Sequence, residues 1–291
     1  MFKEFEENGF KYYVKNEEAY IISTLKAKET KLIVPDTLGG YPVVEVLFYM
    51  ASLYGYDSIR LSKNIKFFDG TSFGETIECI EIDDDNDTFA VKDGILYSKD
   101  FRKLVCFPPA KKDFDISFLD DVEVICDGAF CCCDSIKSVK IPDSVRKIGD
   151  FAFARSETLE SIEIPDSVVD IGKAIFAYCD KLKQVILSNN IKSLSANYSL
   201  DAEGEGFLQG TAIQSIVIPD SVHKIGHFAF YDCNKLNEIY IPKSVNSIVD
   251  TAFIGCDNLT RIVVSEENKN FYVTDIGLYD KNNNLIFKFK K

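Results

Sequence analysis

The dipeptide Ile-Pro returns at a fixed interval, and this recurrence limits the chain to repeat architectures. Its four copies begin at Ile141, Ile164, Ile218 and Ile241. The first two and the last two copies lie 23 residues apart, and the 54-residue gap between the pairs equals two such periods plus eight residues. The missing copy reads Leu187-Ser188, with serine in the place of proline, and the extra residues fall between Ser195 and Gly206.

Further apolar columns keep the same register. The column three residues after Ile-Pro holds Val145, Val168, Ile191, Val222 and Val245. The column three residues later holds Ile148, Ile171, Leu194, Ile225 and Ile248. A phenylalanine column follows at Phe153, Phe176, Phe230 and Phe253, with Phe207 displaced by the insertion. Extrapolation towards the N-terminus gives Phe118 and Phe130, and a weaker copy passes through Phe73. About eight copies cover residues 34–263.

Each copy is too short to bury its own apolar side, so it must stack on its neighbours. The alternation in Ser161-Ile162-Glu163-Ile164 predicts a short strand, which the following proline ends because it cannot donate to a ladder. The segment around Ala152-Phe153 is too short for a regular α-helix and predicts a helical turn. Parallel strands about 4.8 Å apart would stack eight coils to roughly 40 Å.

The repeat resembles that of the BspA-like leucine-rich-repeat family, which reads close to L-x-x-I-x-I-P-x-S-V-x-x-I-G-x-x-A-F-x-x-C. Residues 139–182 follow this pattern nearly column by column, whereas Cys126 and Val249 replace its glycine and Ser156 its cysteine. The resemblance implies a right-handed leucine-rich-repeat solenoid, mainly β with short helical turns and a curved parallel sheet. Members are often bacterial surface proteins, proposed to adhere to host matrix proteins or other cells.

A second, longer repeat accompanies the first. Residues 80–107 match residues 262–289 at a constant offset of 182, with Asn86/Asn268 among the identical pairs. Both copies predict β-hairpins with polar turns, the first bulging out between coils and the second capping the solenoid end. The predicted organisation is an N-terminal β cap at 1–33, a solenoid at 34–263 with a hairpin insertion at 83–117 and a loop insertion at 195–206, and a C-terminal hairpin cap at 264–291.

Composition excludes several functional classes. The net charge of −13 and the absence of a clustered Lys/Arg footprint argue against nucleic-acid binding. No stretch approaches the ~18 apolar residues of a membrane span, so membrane insertion is not expected. The acidic start MFKEFEENGF shows no signal peptide, which favours the cytoplasm. A trimmed start would reopen secretion or a cell-surface location.

Nine cysteines, an odd number, favour reduced thiols that pack as small apolar residues. One column is expected to fill a tight inner corner with Cys133, Ser156, Cys179, Gly210, Cys233 and Cys256. Adjacent coils bring equivalent Cα atoms within disulfide reach, so pairing of Cys233 with Cys256 stays open. The run Cys131-Cys132-Cys133 is expected to expose one or two thiols.

Candidate catalytic and metal-binding residues are few. His223 and His227 have the i, i+4 spacing of a helical metal site, but they occupy solvent columns of a turn without a third ligand. The acidic run at 83–87 lacks the glycine and glutamate of a calcium loop, and Gly204, Gly206 and Gly210 do not form a phosphate loop. We therefore expect no catalytic residues, no metal site, no cofactor and no enzymatic activity. A hydrolase or carbohydrate-active enzyme is the less favoured interpretation.

Strand positions that point out of the coils form one row. Its first five members are polar, namely Arg60, Glu81, Ser117, Lys140 and Glu163, and its last four are apolar, namely Ile186, Val217, Tyr240 and Val263. A neighbouring column supplies a polar rim, with Gln184, Ser215, Glu238 and Arg261. An exposed apolar stripe with such a rim is typical of an interaction surface, unless the C-terminal hairpin or the inserted loop folds over it.

These features together predict a non-catalytic protein-binding scaffold. The family resemblance implies adhesin-like recognition of a protein partner, host and cell-surface proteins being candidates, through the sheet face. The alternative is an intracellular protein-interaction module, which the missing signal peptide and the odd cysteine count favour.

Overall fold

The computed structural model describes residues 2–24, 30–47, 55–72, 75–112, 119–194 and 206–290. The fold is a mainly β leucine-rich-repeat solenoid. Within the described ranges, helix is limited to a single 3-10 turn at Gly70–Ser72. The chain divides into two compact units, Met1–Ser135 and Ile136–Lys291.

The first unit begins with a five-stranded sheet. Strands β1 (Glu4–Glu7), β2 (Phe10–Lys15) and β3 (Glu18–Thr24) are antiparallel. The sheet continues beyond residue 33, because β6 (Tyr41–Val46) pairs in parallel with β3, and β5 (Thr37–Leu38) pairs with β6. The turns that join β1, β2 and β3 carry left-handed residues, which match the twist of tight hairpins.

The solenoid of the first unit starts with three parallel strands, β4 (Lys31–Ile33), β7 (Ser58–Arg60) and β8 (Cys79–Glu81). Their central residues Leu32, Ile59 and Ile80 are in register and fully buried. Alternation along each strand turns the flanking polar residues outward. This arrangement is the stacking that the weaker N-terminal copies predict.

The first copy of the longer repeat has three strands rather than the two of a hairpin. These are β9 (Phe89–Lys92), β10 (Ile95–Ser98) and β11 (Lys103–Cys106), antiparallel in order. Strand β11 then pairs in parallel with β12 (Val124–Ile125). Because β11 is itself a rung of the solenoid, β10 and β11 are largely buried and do not bulge out.

Two ladders run through the second unit. One comprises two separate three-stranded parallel sheets, the first of β13 (Ser138–Lys140), β15 (Ser161–Glu163) and β17 (Gln184–Ile186), the second of β19 (Ser215–Val217), β21 (Glu238–Ile241) and β23 (Arg261–Val264). The other consists of β14 (Lys147–Ile148) and β16 (Asp170–Ile171), followed by β18 (Ser193–Leu194), β20 (Lys224–Ile225) and β22 (Ser247–Ile248). A C-terminal meander follows, β24 (Phe271–Val273), β25 (Gly277–Asp280) and β26 (Leu285–Lys288).

The predicted helical turns are present as tight turns rather than as regular helix, because residues with left-handed backbone interrupt them. In one coil Phe151 and Arg155 have φ of 56° and 59°, and in another Phe228 and Asp232 both have φ of 54°. Short i→i+3 hydrogen bonds remain, such as that from the amide of Ala154 to the carbonyl of Phe151 at 3.0 Å. L-residues with positive φ cannot continue a right-handed helix, so the segment folds as consecutive tight turns.

The aromatic spine is present, with one change of residue. The rings of Phe153 and Phe176 lie 5.8 Å apart between centroids, and those of Phe230 and Phe253 lie 5.4 Å apart. Between these pairs the column is filled by Leu208. Its amide donates to the carbonyl of Ala229 in the next coil, just as the amide of Phe153 donates to the carbonyl of Ile175.

Phe207 therefore takes the neighbouring small-residue column, where its ring meets the edge of Phe176 at 5.9 Å. In the first unit Phe107 and Phe130 form the same kind of pair at 5.4 Å. Phe73, which extends the predicted spine, and Phe118, which stands in the column of Ile141, lie outside the described residues.

Candidate functional site

An apolar stripe lies on the outward face of the second unit. Its members are Ile186, Val217, Tyr240 and Val263, which we call the outward stripe. Ile186, Val217 and Tyr240 expose 47%, 72% and 38% of their surface, and Val263 is half-buried. Val217 pairs with Tyr240, and Tyr240 with Val263, in parallel register. Three successive rungs, and Ile186 on β17, thus present apolar side chains at the same strand position.

The alternation of each strand explains why these side chains face outward. The preceding residues Ile216, Ile239 and Ile262 are buried. Successive side chains on a strand point to opposite faces, so an apolar residue beside each of them cannot also enter the core. The hydrophobic stripe is therefore not needed to form the solenoid interior.

The predicted rim lies two positions earlier on the same strands. Gln184, Ser215 and Arg261 are exposed and Glu238 is half-buried. Glu238 pairs with Arg261 in the strand register, and an Arg261 guanidinium nitrogen lies 3.3 Å from a Glu238 carboxylate oxygen. Both side chains are well exposed, so this ion pair contributes little stability. It orients polar groups along one side of the stripe.

The C-terminal meander leaves most of the stripe uncovered. Strand β24 lies against β23, and the Phe287 ring packs on the Phe253 ring at 5.7 Å, which closes the end of the spine. This placement fits the partial burial of Val263, whereas Val217 keeps 72% of its surface exposed. The other candidate cover, the inserted loop, falls at residues 195–205, outside the described residues.

The polar end of the outward row behaves differently. Arg60 and Glu81 are half-buried and engage in ion pairs, Arg60 with Asp83 at 3.4 Å and Glu81 with Lys31 at 2.7 Å. Lys140 and Glu163 are exposed, and Ser117 lies outside the described residues. The row is thus polar at its described positions from Arg60 to Glu163, although Ile33, which pairs with Arg60 in register, is apolar and exposes 47% of its surface.

All nine cysteines are free, and Cys233 and Cys256 do not pair. The thiols of Cys179, Cys233 and Cys256 each donate to the carbonyl of the spine residue in the preceding coil at 3.0 Å. Burial raises the pKa of the Cys233 thiol to about 12 and raises that of Cys256 further. The thiols of Cys233 and Cys256 are therefore protonated at neutral pH and unreactive, since the thiolate is the reactive form.

Two details of the predicted cysteine column are wrong. Thr211, not Gly210, faces the Cys233 thiol, at 3.5 Å. Gly210 instead has φ of 69° and matches the left-handed residue Asp232 of the next coil. Cys131 and Cys132 are also buried rather than exposed.

The histidines and acidic residues do not assemble a metal site. His223 contacts the carbonyl of Ser244 at 3.2 Å, and His227 contacts the Thr251 hydroxyl at 2.8 Å. Throughout the described part of the chain, no three His, Cys, Asp or Glu side chains converge as metal ligands would.

Sequence reasoning missed the role of two asparagines in the longer repeat. The Asn86 amide nitrogen donates to the carbonyls of Lys63 and Ile65, and its oxygen accepts from two backbone amides, at 2.7–2.9 Å. Asn268 repeats all four bonds, its nitrogen reaching the carbonyls of Pro242 and Val245. We call each set of four hydrogen bonds an asparagine latch. The identity of the two asparagines across the longer repeat was the signal that could have revealed it.

The repeat region of the chain matches a known family model. Residues 105–200 and 203–274, more than half of the chain, match the model described as BspA type Leucine rich repeat region, in six copies. A search of curated proteins gives no match.

Solved structures share the fold at low sequence identity. A leucine-rich repeat protein from Eubacterium ventriosum superposes with a TM-score of 0.60 at 19% identity, over 86% of this chain and 69% of that chain. A leucine rich cell surface protein from Faecalibacterium prausnitzii gives 0.46 at 18%, over 90% and 95%, and the pneumococcal vaccine antigen PcpA gives 0.47 at 14%, over 91% and 89%. Across the described segments, no helix has the length and hydropathy of a membrane span.

Proposed function

Since the chain belongs to the BspA-type leucine-rich-repeat family, we propose that it is a non-catalytic scaffold that binds a protein partner through the outward stripe. The observation that carries the proposal is the exposure of Ile186, Val217 and Tyr240 at equivalent positions of their strands. Fixed apolar side chains on a parallel sheet offer a preformed surface, so a partner that buries them pays little ordering entropy.

The stripe has the composition of an interface centre. Fully burying a side chain such as Val or Ile stabilises a complex by about 1.5–3 kcal/mol, and tyrosine is enriched among the residues that dominate binding energy. The rim supplies polar groups at the edge, where water remains. The buried Cys233 and Cys256 and the two histidines form hydrogen bonds within the solenoid.

The partner class that the family resemblance favours is a protein on a host or neighbouring cell, bound in an adhesin-like manner. An intracellular interaction module is the second candidate, and the odd number of cysteines favours it. Counting thiols in denatured protein taken from its native host separates the two. Nine titratable thiols support the intracellular module, whereas paired thiols support export.

The stripe itself is tested by Tyr240→Asp, with Val169→Asp as a matched control. Val169 is another apolar residue of the same unit, exposed to 59% and outside the stripe. We expect Tyr240→Asp to weaken capture of the native partner at least tenfold and Val169→Asp to leave it unchanged, with melting temperatures within a few degrees of the parent. Partners are recovered by cross-linking on cells or lysate and their affinity is measured by surface plasmon resonance.

Two results would contradict the proposal. Equal loss of binding in both variants would show that charge, not the stripe, matters. A large fall in melting temperature for Tyr240→Asp would show that this tyrosine belongs to the core.

A further inference from the structure

One row of paired residues crosses the five-stranded sheet of the first unit. Tyr13 on β2 pairs with Tyr20 on β3, and Tyr20 pairs with Glu45 on β6. Glu45 pairs in turn with Phe67 in a single parallel bridge. Paired residues of neighbouring strands share one face of a sheet. Ile21, which follows Tyr20, is buried, so strand alternation turns the row away from the core.

Stacked rings occupy one part of this row. The rings of Tyr13 and Tyr20 lie 4.9 Å apart between centroids at an interplanar angle of 1°, and the ring of Phe2 stacks on that of Tyr13 at 4.8 Å and 12°. Among the described residues, Tyr13 is the only ring stacked on Tyr20. The stack therefore ends at Tyr20, and the next aromatic side chain of the row is Phe67, beyond Glu45, which exposes 53% of its surface.

Glu45 is a carboxylate without a counter-ion. It is half-buried, and it takes part in no hydrogen bond or ion pair with any residue that the structure describes. Glu18 on the same strand as Tyr20, by contrast, pairs with Lys66 at 2.6 Å and accepts from the Tyr20 hydroxyl at 3.0 Å. Burial and the charge of Asp69 raise the pKa of Glu45. A carboxylate that has lost solvation and has gained no positive neighbour favours the binding of a cation.

The spacing of the row suits a flat cation. Neighbouring strands lie about 4.8 Å apart, which separates Tyr20 from Phe67 by roughly 10 Å across Glu45. A planar group in van der Waals contact with a ring on each side needs about 7–8 Å of that width. A guanidinium is planar, stacks on aromatic faces and pairs with a carboxylate through two N–H donors, whereas an ammonium is a compact point charge.

We propose that Tyr20, Glu45 and Phe67 bind the guanidinium of an arginine on a partner protein. The guanidinium continues the ring stack at Tyr20, donates to the Glu45 carboxylate and lies against Phe67. The net charge of −13 favours the approach of a cationic partner. This guanidinium site belongs to the first unit and the outward stripe to the second, so the two are tested separately.

The test uses the full chain and the peptide acetyl-Gly-Arg-Gly-amide at low ionic strength, where charge pairs are least screened. Two control peptides replace the arginine with citrulline, which is planar but uncharged, or with lysine, which is charged but not planar. In ¹H–¹³C spectra of labelled protein, we expect the arginine peptide at millimolar concentration to shift the ring signals of Tyr20 and Phe67 and the side-chain signals of Glu45. The citrulline and lysine peptides should bind at least fivefold more weakly.

Protein variants separate the Glu45 carboxylate from the general negative charge. Glu45→Gln keeps the shape of the side chain and removes its charge, and we expect it to weaken binding of the arginine peptide at least fivefold. Glu4→Gln is the matched control, because Glu4 is an exposed carboxylate that pairs with Tyr13 at the other end of the row, and it should leave binding unchanged. Phe67→Ala, at an exposed ring, should weaken binding while the melting temperature stays within a few degrees of the parent.

Several results would overturn the proposal. They are equal binding of the arginine and citrulline peptides, parental affinity in Glu45→Gln, signal shifts only outside the row, and no shift at millimolar peptide. Equal binding of the lysine peptide also overturns it, because the surface would then recognise charge alone. Tyr240→Asp should retain binding of the arginine peptide, so failure of the guanidinium site and failure of the outward stripe are distinguishable.

Discussion

Single residues in left-handed conformation set the path of each coil. The position before the cysteine column has positive φ at Cys132, Arg155, Tyr178, Gly210, Asp232 and Gly255. A non-glycine residue there costs roughly 1–2 kcal/mol, so the coils tolerate a local cost that their stacking offsets. This column could not be predicted from the sequence, because only two of its members are glycine.

Gly255 lies where the tight turn leaves little room for a side chain. Its φ is 79°, and an added Cβ would lie 2.1 Å from a carboxylate oxygen of Asp232 and 3.0 Å from its backbone nitrogen. Gly40 has φ of 84° with nothing near an added Cβ. We expect Gly40→Ala to lower the free energy of unfolding by about 1 kcal/mol, and Gly255→Ala to lower it by about 2–4 kcal/mol, since overpacking adds to the backbone cost.

Urea denaturation followed by circular dichroism measures both variants. Equal effects at the two glycines would show that the Asp232 side chain simply moves aside and that steric contact contributes nothing.

At the scale of elements, the asparagine latches hold each three-stranded meander to the coil before it. The carboxamides of Asn86 and Asn268 each satisfy two carbonyls and two amides. Strand alternation alone cannot indicate such a contact, because it joins a loop side chain to backbone groups more than 20 residues away.

Asn268→Ala removes four hydrogen bonds at once. Since about 1 kcal/mol is lost per bond and partly buried groups are left unpaired, we expect the free energy of unfolding to fall by about 2–4 kcal/mol. Hydrogen exchange should accelerate across β24, β25 and β26 in particular. Asn284→Ala, at an exposed turn where the amide contacts Asp280, is the control and should cost less than about 1 kcal/mol. Unchanged exchange in Asn268→Ala would mean that apolar packing alone docks the meander.

Much of the element order could be predicted from the 23-residue period, because the coils repeat the same strand and turn, most of them with a proline between the two. The third strand of each meander was missed although Asp93-Gly94 is a strong hairpin signal, and both residues have positive φ. The position of the outward stripe followed from alternation. The occupation of the spine by Leu208 instead of Phe207 could not be predicted, because the insertion hides the register of the repeat. Only the backbone hydrogen bonds between coils show which residue takes the spine position.

The whole molecule buries ionisable thiols in its interior, and this makes its stability sensitive to alkaline pH. Burial raises the pKa of Cys233 to about 12, from an ordinary value of 9.0, and raises those of Cys106, Cys133 and Cys256 as well. The unfolded chain ionises its thiols from about pH 9, whereas the folded chain keeps them protonated. The contribution of the protonated Cys233 thiol to the free energy of unfolding is therefore fully present below pH 9. It is lost as the pH rises from about 9 to about 12.

For one such thiol the expected slope is up to ~1.4 kcal/mol per pH unit in that interval. Urea unfolding at about pH 8, 10 and 11 in the presence of a reductant measures it. Cys233→Ser removes one titrating group while keeping a donor, so its slope should be shallower than that of the parent. An identical pH dependence in the two proteins would show that Cys233 does not contribute.

The two meanders also have matching sequences, so the chain could be joined from one to the other without a new junction. An in-frame deletion that joined residue 82 to residue 265 would remove 182 residues and leave β8 followed by the same asparagine-led module. Unequal exchange between the two copies in the gene would lengthen or shorten the protein in steps of this size without inventing a new junction. Such a change would alter the number of coils while the asparagine-led module that closes the array stays the same.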